Sequence, residues 1–333
     1  MIQSVQFKNF KALRNTALPL SQFTLIVGPN GSGKSTALAG ISTLAEPTRG
    51  NFHQLLSAGL PLSDHVTIEA NWPEAGRAYK VIVHWDSHRS PGREVVAVNG
   101  AEPGLMRKFE PLLSGIRSYA FDANAIAQEV QLAPNAEIQP DGSHLAVVLD
   151  RLRDLHPEHF EAVNNELHRW LPEFNRILFD TPNIGARRVA LRTTEGGYKI
   201  SAQNLSQGTL VSLALLTLAY LPQPPKVVCL EEPDHGLHPR LLRDVRDAIY
   251  RLAYPEGAGK TREPVQVIAT THNPYFLDLF REHPEEIVIA EKVGLEAKFS
   301  RLSDRTDLNE ILGDAHLGDV WYSGVLGGVP AGT

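Results

Sequence analysis

The chain has 333 residues, 42% apolar and 21% charged, which suits one large globular domain or two ordinary ones and excludes a disordered tail, a collagen and a disulfide miniprotein. Its 32 basic and 38 acidic side chains leave a formal charge of −6, so nucleic-acid contact would need a local patch rather than a basic surface. The one cysteine, Cys229, excludes an internal disulfide and a cysteine-built zinc site, and it fits a reducing compartment. The opening MIQSVQFKNFKALRN has no apolar signal core, and the longest apolar run, about 210–221, is shorter than the ~20 residues of a bilayer crossing. A cytoplasmic chain with no membrane partner is expected.

Ile2, Val5 and Phe7, then Leu18 and Leu20, read as strands, and the apolar run Phe23–Val27 reads as a strand buried within a sheet. A glycine-rich turn, Gly28 to Thr36, leads into a segment of helical composition. Residues 64–100 alternate and end in the turn signal Asn99-Gly100, which predicts a β-rich insertion spanning 50–140. In 141–180, Leu145, Val148, Leu149, Leu152 and Leu155 recur at helical spacing, punctuated by Pro157 and Pro172. Residues 187–200 alternate again. From Gln203 onward the order is helix, strand (227–230), helix, strand (265–269), helix, the βαβ signature of a parallel sheet. No sustained heptads predict a coiled coil.

Gly28-Pro29-Asn30-Gly31-Ser32-Gly33-Lys34-Ser35 fits the phosphate-binding pattern G-x-x-x-x-G-K-[ST], between a buried strand and a helix where that chemistry requires it. Glycines turn backbone N–H groups toward phosphates, and the helix start at Thr36 adds partial positive charge. Lys34 would reach the β- and γ-phosphates of ATP, and Ser35 would offer a hydroxyl to Mg²⁺. Glu231 and Glu232 end an apolar strand, where buried carboxylates are costly without a cation. Glu231 would hold Mg²⁺ and Glu232 would deprotonate the attacking water. Ser206 and Gly208 open an apolar helix, as a simple cap or as a second phosphate site. His272 ends a buried strand after two threonines, as a structural residue or as a γ-phosphate contact. The bland alternatives for the first two motifs are a ligand-free turn and two solvated acids.

The P-loop, Leu205-Ser-Gln-Gly-Thr209, Leu230-Glu-Glu-Pro233 and Ala269-Thr-Thr-His-Asn-Pro274, in this order, resemble an ABC-type ATPase, and within it the RecF-like and OLD-like AAA-family ATPases of DNA repair and phage defence. Asn9-Phe-Lys-Ala-Leu-Arg14 is similar to that group's opening strand pair beside the nucleotide, and Leu317 to Gly324 resembles the end of its stand-alone members. The departures are LSQGT in place of LSGGQ and Glu231 where many relatives have aspartate; Gln54 and Gln128 are candidates for the Q-loop.

The resemblance implies an α/β P-loop fold with the ABC-ATPase head architecture: a mixed, largely parallel central sheet with an antiparallel β insertion and a helical subdomain. It implies one ATPase domain over 1–333, with the 50–140 insertion, a helical signature lobe at 141–210, and a 211–333 lobe holding the acids, His272 and the tail. It further implies a head-to-tail homodimer with two ATP molecules sandwiched, open to higher assembly. Each site would combine Lys34, Ser35, Glu231, Glu232 and His272 of one copy with Ser206 and Gly208 of the other, and Arg14 would lie near the nucleotide. The expected activity is hydrolysis of ATP to ADP and phosphate.

Only 61 residues follow His272, too few for the Toprim nuclease domain of OLD-type enzymes, so nuclease activity is expected of a separate effector protein in an antiviral defence complex. The alternatives are a stand-alone RecF-like repair ATPase, the nucleotide-binding subunit of a transporter, and a module that holds ATP without turnover. Cations that would touch DNA are Arg187, Arg188 and Arg192, or Arg77, Lys80, Arg89 and Arg93. Those of 240–251 alternate with Asp244 and Asp247 and predict a solvated, ion-paired face.

Overall fold

The structure, a computed structural model, describes residues 1–47, 52–61, 64–87, 91–100, 102–258, 262–313 and 315–327. The chain runs β1 (Ser4–Phe10), β2 (Leu13–Pro19), β3 (Phe23–Val27), α1 (Lys34–Ser42), α2 (Phe52–Leu55), β4 (Val66–Glu74), β5 (Arg77–Trp85), β6 (Gly92–Ala97), α3 (Leu105–Leu113), β7 (Ile116–Tyr119), α4 (Ala123–Ile126) and β8 (Val130–Gln131). It continues with α5 (Leu145–Leu155), α6 (Pro157–Trp170), β9 (Phe174–Asp180), β10 (Ala186–Thr193), β11 (Lys199–Ser201), α7 (Gln207–Tyr220), β12 (Val227–Leu230) and α8 (Leu242–Ala253). The last elements are β13 (Gln266–Thr271), α9 (Pro274–Asp278), β14 (Ile287–Val293), β15 (Glu296–Arg301), α10 (Leu308–Leu312) and α11 (Leu317–Tyr322).

The chain divides into two compact units. The first takes Met1–Ser118, Pro225–Glu231 and Pro264–Thr333; the second takes Tyr119–Pro224 and Glu232–Glu263. The first unit holds a sheet in the order β2-β1-β4-β5-β6, antiparallel throughout, and a six-stranded sheet in the order β15-β14-β3-β13-β12-β7. In the second sheet β14, β3, β13 and β12 run parallel and β15 turns back antiparallel on β14. The five residues of β3 are all buried, as a parallel strand covered on both faces requires. One core joins both sheets to α1: Val5 and Phe7 of β1, Ile68 of β4, Ile26 of β3, Val288 of β14, and Ala37, Leu38 and Ile41 of the helix. Gly40 is glycine because a Cβ there would press on the Phe7 ring and stand 3.2 Å from Ile68 Cδ1.

The β region after α1 is therefore an extension of the β1–β2 hairpin into one five-stranded sheet, with β1 paired directly to β4. The 101–140 stretch adds helix α3 and the short α4, where β structure was expected. Another difference lies at the end of the predicted helical stretch 141–180. Phe174–Asp180 is a strand, β9, pairing antiparallel with β10. Its apolar positions 174, 177 and 178 mimic helical spacing, and the pairing with β10 overrides that local pattern.

In the second unit α5 packs on α6, and α6 and α8 pack on α7. Helix α7 is buried from Thr209 through Ala219 without a break, so it reads as the centre of this unit rather than as an amphipathic surface helix. The sheet of β8, β10 and β11, with β9 on β10, lies in the same unit.

Candidate nucleotide-binding site

Three of the sequence-predicted motifs leave the C-terminal ends of adjacent parallel strands. Gly28 follows β3, His272 follows β13 and Glu231 follows β12, and β13 lies between the other two. The register pairs Val27 with Thr271 and Leu230 with Ala269, so Gly28 leaves level with His272 and Glu231 leaves two residues lower, level with Thr270. Ligands of open α/β sheets bind at this edge of the strands.

The loop from Gly28 to Gly33 is glycine where side chains have no room. A Cβ on Gly28 would stand 2.8 Å from Ser32 Oγ and overlap the Ala290 carbonyl oxygen of β14, and one on Gly33 would stand 2.8 Å from Ala297 Cβ of β15. Gly31 and Gly33 also take φ of +79° and +96°, open to glycine at no steric cost. Gly33 caps α1 with no side-chain bond, leaving the first N–H groups of the helix available to an anion. Lys34 is 5% exposed, and its ammonium donates to the carbonyls of Gly28 at 2.7 Å and Pro29 at 3.0 Å. Ser32 Oγ is buried with no hydrogen-bond partner among the described residues. Ser35 Oγ donates to the Glu231 carboxylate.

These observations fit a nucleoside triphosphate with Mg²⁺. The loop has an orphaned buried hydroxyl, a buried cation turned onto its own carbonyls, and a hydroxyl and a carboxylate already side by side. The donor set is all oxygen, as Mg²⁺ prefers.

His272 is exposed at the end of β13, whose last residues Thr270 and Thr271 are fully buried. The turn after it is fixed locally: Asn273 N–H donates to Thr271 Oγ1 at 3.0 Å, and Asn273 Oδ1 accepts from Tyr275 N–H at 3.0 Å to cap α9. The Asn-Pro pair opening α9 is the signal that marks this cap in the sequence. Arg14 is held by a hydrogen bond to the Ala58 carbonyl, beside the β1–β2 turn, where Lys11 N–H donates to the Leu55 carbonyl at 2.7 Å. Thr36 is half-buried in the first turn of α1, while Pro29 and Asn30 form the outer edge of the loop.

The remaining candidates belong to the second unit. Ser206 caps α7, accepting from Thr209 N–H at 3.1 Å, as read from the sequence. Gly208 lies on the turn after Glu232: a Cβ there would come within 3.1 Å of the Gly236 carbonyl. Glu232 takes φ of +43°, left-handed space that an L residue enters at a cost of about 1–2 kcal/mol. Its carbonyl accepts from His235 N–H at 2.9 Å, closing the turn, and its carboxylate stands 3.9 Å from His235 Nδ1. The two Q-loop candidates are both exposed: Gln54 sits in α2 of the first unit, and Gln128 in the second follows α4 with its amide on the Asn124 carbonyl at 3.1 Å.

Sequence reading missed the small residues that frame the loop, Ala290 and Ala297, because nothing local marks an alanine that meets a glycine from another strand. It also missed the amide of Gln266, which accepts from Ile2 N–H at 2.8 Å and donates to the carbonyls of Ile2 at 2.7 Å and Ser21 at 2.9 Å. The cationic candidates are internally matched. Arg187 meets Asp150 at 3.3 Å, Arg188 meets Glu129 at 3.1 Å, and Arg192 donates to Asn175 at 2.8 Å. In the first unit Lys80 meets Glu69 at 2.7 Å, Arg77 meets Glu102 at 3.2 Å and Arg93 meets Glu110 at 2.7 Å, while Arg89 lies outside the described residues. Over 240–251 the expected ion-paired face is present in part: Arg246 meets Asp247 at 2.7 Å, while Asp244 pairs with Arg169 of α6 at 2.9 Å, Arg240 donates to the Trp170 carbonyl at 3.1 Å and Arg251 lies over the Tyr220 ring. No helix among the described residues is long and apolar enough to cross a membrane.

A family model described as "AAA domain, putative AbiEii toxin, Type IV TA system" matches residues 80–278, more than half of the chain. The chain belongs to this AAA domain family. A second model, an AAA ATPase domain, matches residues 1–80, so the two together take in the P-loop, both acids and His272. The OLD nuclease of Thermus scotoductus is 34% identical over 92 residues, 28% of this AAA chain, which spans only 16% of that relative's length. Among solved structures, an SMC head domain bound to the C-terminal winged-helix domain of ScpA is 16% identical with a TM-score of 0.65, covering 91% of this chain and 99% of that one. The SMC head domain of Thermotoga maritima is 18% identical with a TM-score of 0.52, covering 90% of this chain and 98% of that one. The fold is that of an ABC-type ATPase head, as the order of motifs implied.

Proposed function

We propose that this AAA protein is an ATP-driven switch: ATP draws two copies together head to tail, and hydrolysis to ADP and phosphate releases them. The observation that carries this reading is the Ser35–Glu231 hydrogen bond at the mouth of the parallel strands, with Lys34 buried beside it. Ser35 and Glu231 are the residues that would hold Mg²⁺, which supplies charge neutralisation on the β- and γ-phosphates. The backbone of Gly28 to Thr36 cradles the phosphates and Lys34 neutralises them. Glu232 orients and deprotonates the attacking water, and His272 donates toward the γ-phosphate. Ser206 and Gly208 of the second copy complete the site from the N-terminal end of α7.

The switch would be read out by a separate effector protein such as a nuclease, within an antiviral complex in the cytoplasm. The likeness to an OLD nuclease supports that setting. DNA would enter through that complex, because the cationic candidates Arg187, Arg188, Arg77, Lys80 and Arg93 each meet a carboxylate of the chain and Arg192 an amide.

The test begins with Mg²⁺-dependent phosphate release by the purified protein, with its oligomeric state measured by sedimentation in ATP and in ADP. Glu232→Gln should slow release and hold a dimer in ATP. A Glu232→Gln protein that hydrolyses normally, or stays monomeric in ATP, overturns the reading. Affinity purification of this variant from its host then identifies the effector. A bare homodimer with DNA would point instead to a stand-alone repair ATPase, and a membrane protein to a transporter subunit.

A further inference from the structure

Within the first unit, the C-terminal helix α11 rests on α9, the helix that begins two residues after His272. The contact is close and polar. Gly318 N–H donates to Asp278 Oδ1 at 2.7 Å. A Cβ on Gly318 would stand 2.8 Å from the Pro274 carbonyl carbon, so only glycine lets the two backbones approach. The N-terminus of α11 has no side-chain cap of its own, since His316 makes none, and the Asp278 carboxylate takes that place. Leu317 and Trp321 anchor the rest of the helix, buried at 0% and 5% exposure.

Helix α9 is thus held at both ends. Asn273 caps its start and is tied to Thr271, and Asp278 at its far end is tied to Gly318. His272 sits on the short connection that these two ties fix. We propose that α11 is a positioning clamp for His272: the Asp278–Gly318 bond holds α9, and α9 sets the height at which the imidazole meets the γ-phosphate. Asp278 and Gly318 are positioning residues that touch no nucleotide. The inference rests on the proposed role of His272 in hydrolysis.

The experiment measures steady-state ATPase and equilibrium binding of a fluorescent ATP analogue on the full chain. Asp278→Ala removes the acceptor, Gly318→Ala forces the helices apart, and Asp278→Asn keeps an acceptor oxygen at Oδ1. The first two should lower kcat about tenfold with nucleotide affinity within twofold of the parent, and Asp278→Asn should restore most of the rate. In the double variant Asp278→Ala with His272→Ala, the rate should match His272→Ala alone, since the clamp acts through the histidine.

If His272→Ala itself hydrolyses normally, the role assigned to His272 fails and the clamp with it. If His272→Ala is slow while Asp278→Ala and Gly318→Ala are not, the clamp alone fails. Additive losses in the double variant, or loss of nucleotide binding in both Asp278→Ala and Gly318→Ala, also overturn it, because the contact would then support the fold in general.

Discussion

Ser35 and Glu231, 196 residues apart in the chain, share a hydrogen bond. One lies in the first turn of helix α1, which follows β3, and the other comes directly after strand β12, with β13 between those two strands. A hydroxyl and a carboxylate set side by side are a ready pair of oxygen ligands for Mg²⁺. Glu231→Gln and Ser35→Ala should each reduce Mg²⁺-dependent ATP hydrolysis by about 10²-fold or more, the scale on which losing preorganised electrostatic stabilisation is felt. Nucleotide binding should then no longer respond to Mg²⁺, measured by titrating ATP with and without the ion.

Lys34 is buried and its charge rests on two loop carbonyls. Lys34→Met keeps the stem and removes the charge. Nucleotide affinity should fall at least about 30-fold, the scale of about 2 kcal/mol for a charge-assisted contact. The folded state should be little changed, which thermal unfolding without nucleotide checks.

Glu232 occupies left-handed backbone space, a strained place for a glutamate. Asparagine tolerates that conformation better, so Glu232→Asn should raise stability by about 1 kcal/mol while hydrolysis falls by about 10²–10⁴-fold. Denaturant unfolding and phosphate release, measured on the same preparation, should move in opposite directions.

Cys229 lies wholly within β12, and burial pushes its thiol up to about 12. A thiol reagent at pH 8 should leave the native protein unlabelled and modify one cysteine per chain after denaturation. Fast labelling of the native protein would show that β12 opens.

The Gln266 side chain satisfies one N–H and two carbonyls of the N-terminal segment while almost fully buried. Gln266→Leu strands these groups, and each buried unsatisfied polar group costs about 1–3 kcal/mol. A loss of about 3 kcal/mol is expected, seen as a lower urea midpoint with unchanged slope.

Much of this arrangement is legible in the chain. The runs Phe23–Val27 and Val227–Leu230 coincide with β3 and β12 because a strand buried on both faces is mostly apolar, Thr24 being the one hydroxyl in the two. The P-loop, the Ser206 cap and the Asn273 cap are local, and local chemistry spells them out. What escapes is decided by distant partners. Phe174–Asp180 becomes a strand by lying against β10, and helix α3 forms although Pro111 interrupts its pattern. The contact between Gly318 and Pro274 is similarly silent, since a glycine does not announce what it must approach.

Strand β3, which carries the P-loop, is flanked in the sheet by β13 and β14. Both neighbours lie hundreds of residues downstream, so the strand emerges from the ribosome long before either is made. Closing those long loops is entropically slow, and an apolar strand with two unpaired edges is an aggregation hazard until it is closed. The candidate site at the end of β3 therefore cannot be complete until β13 and β14 have both been made.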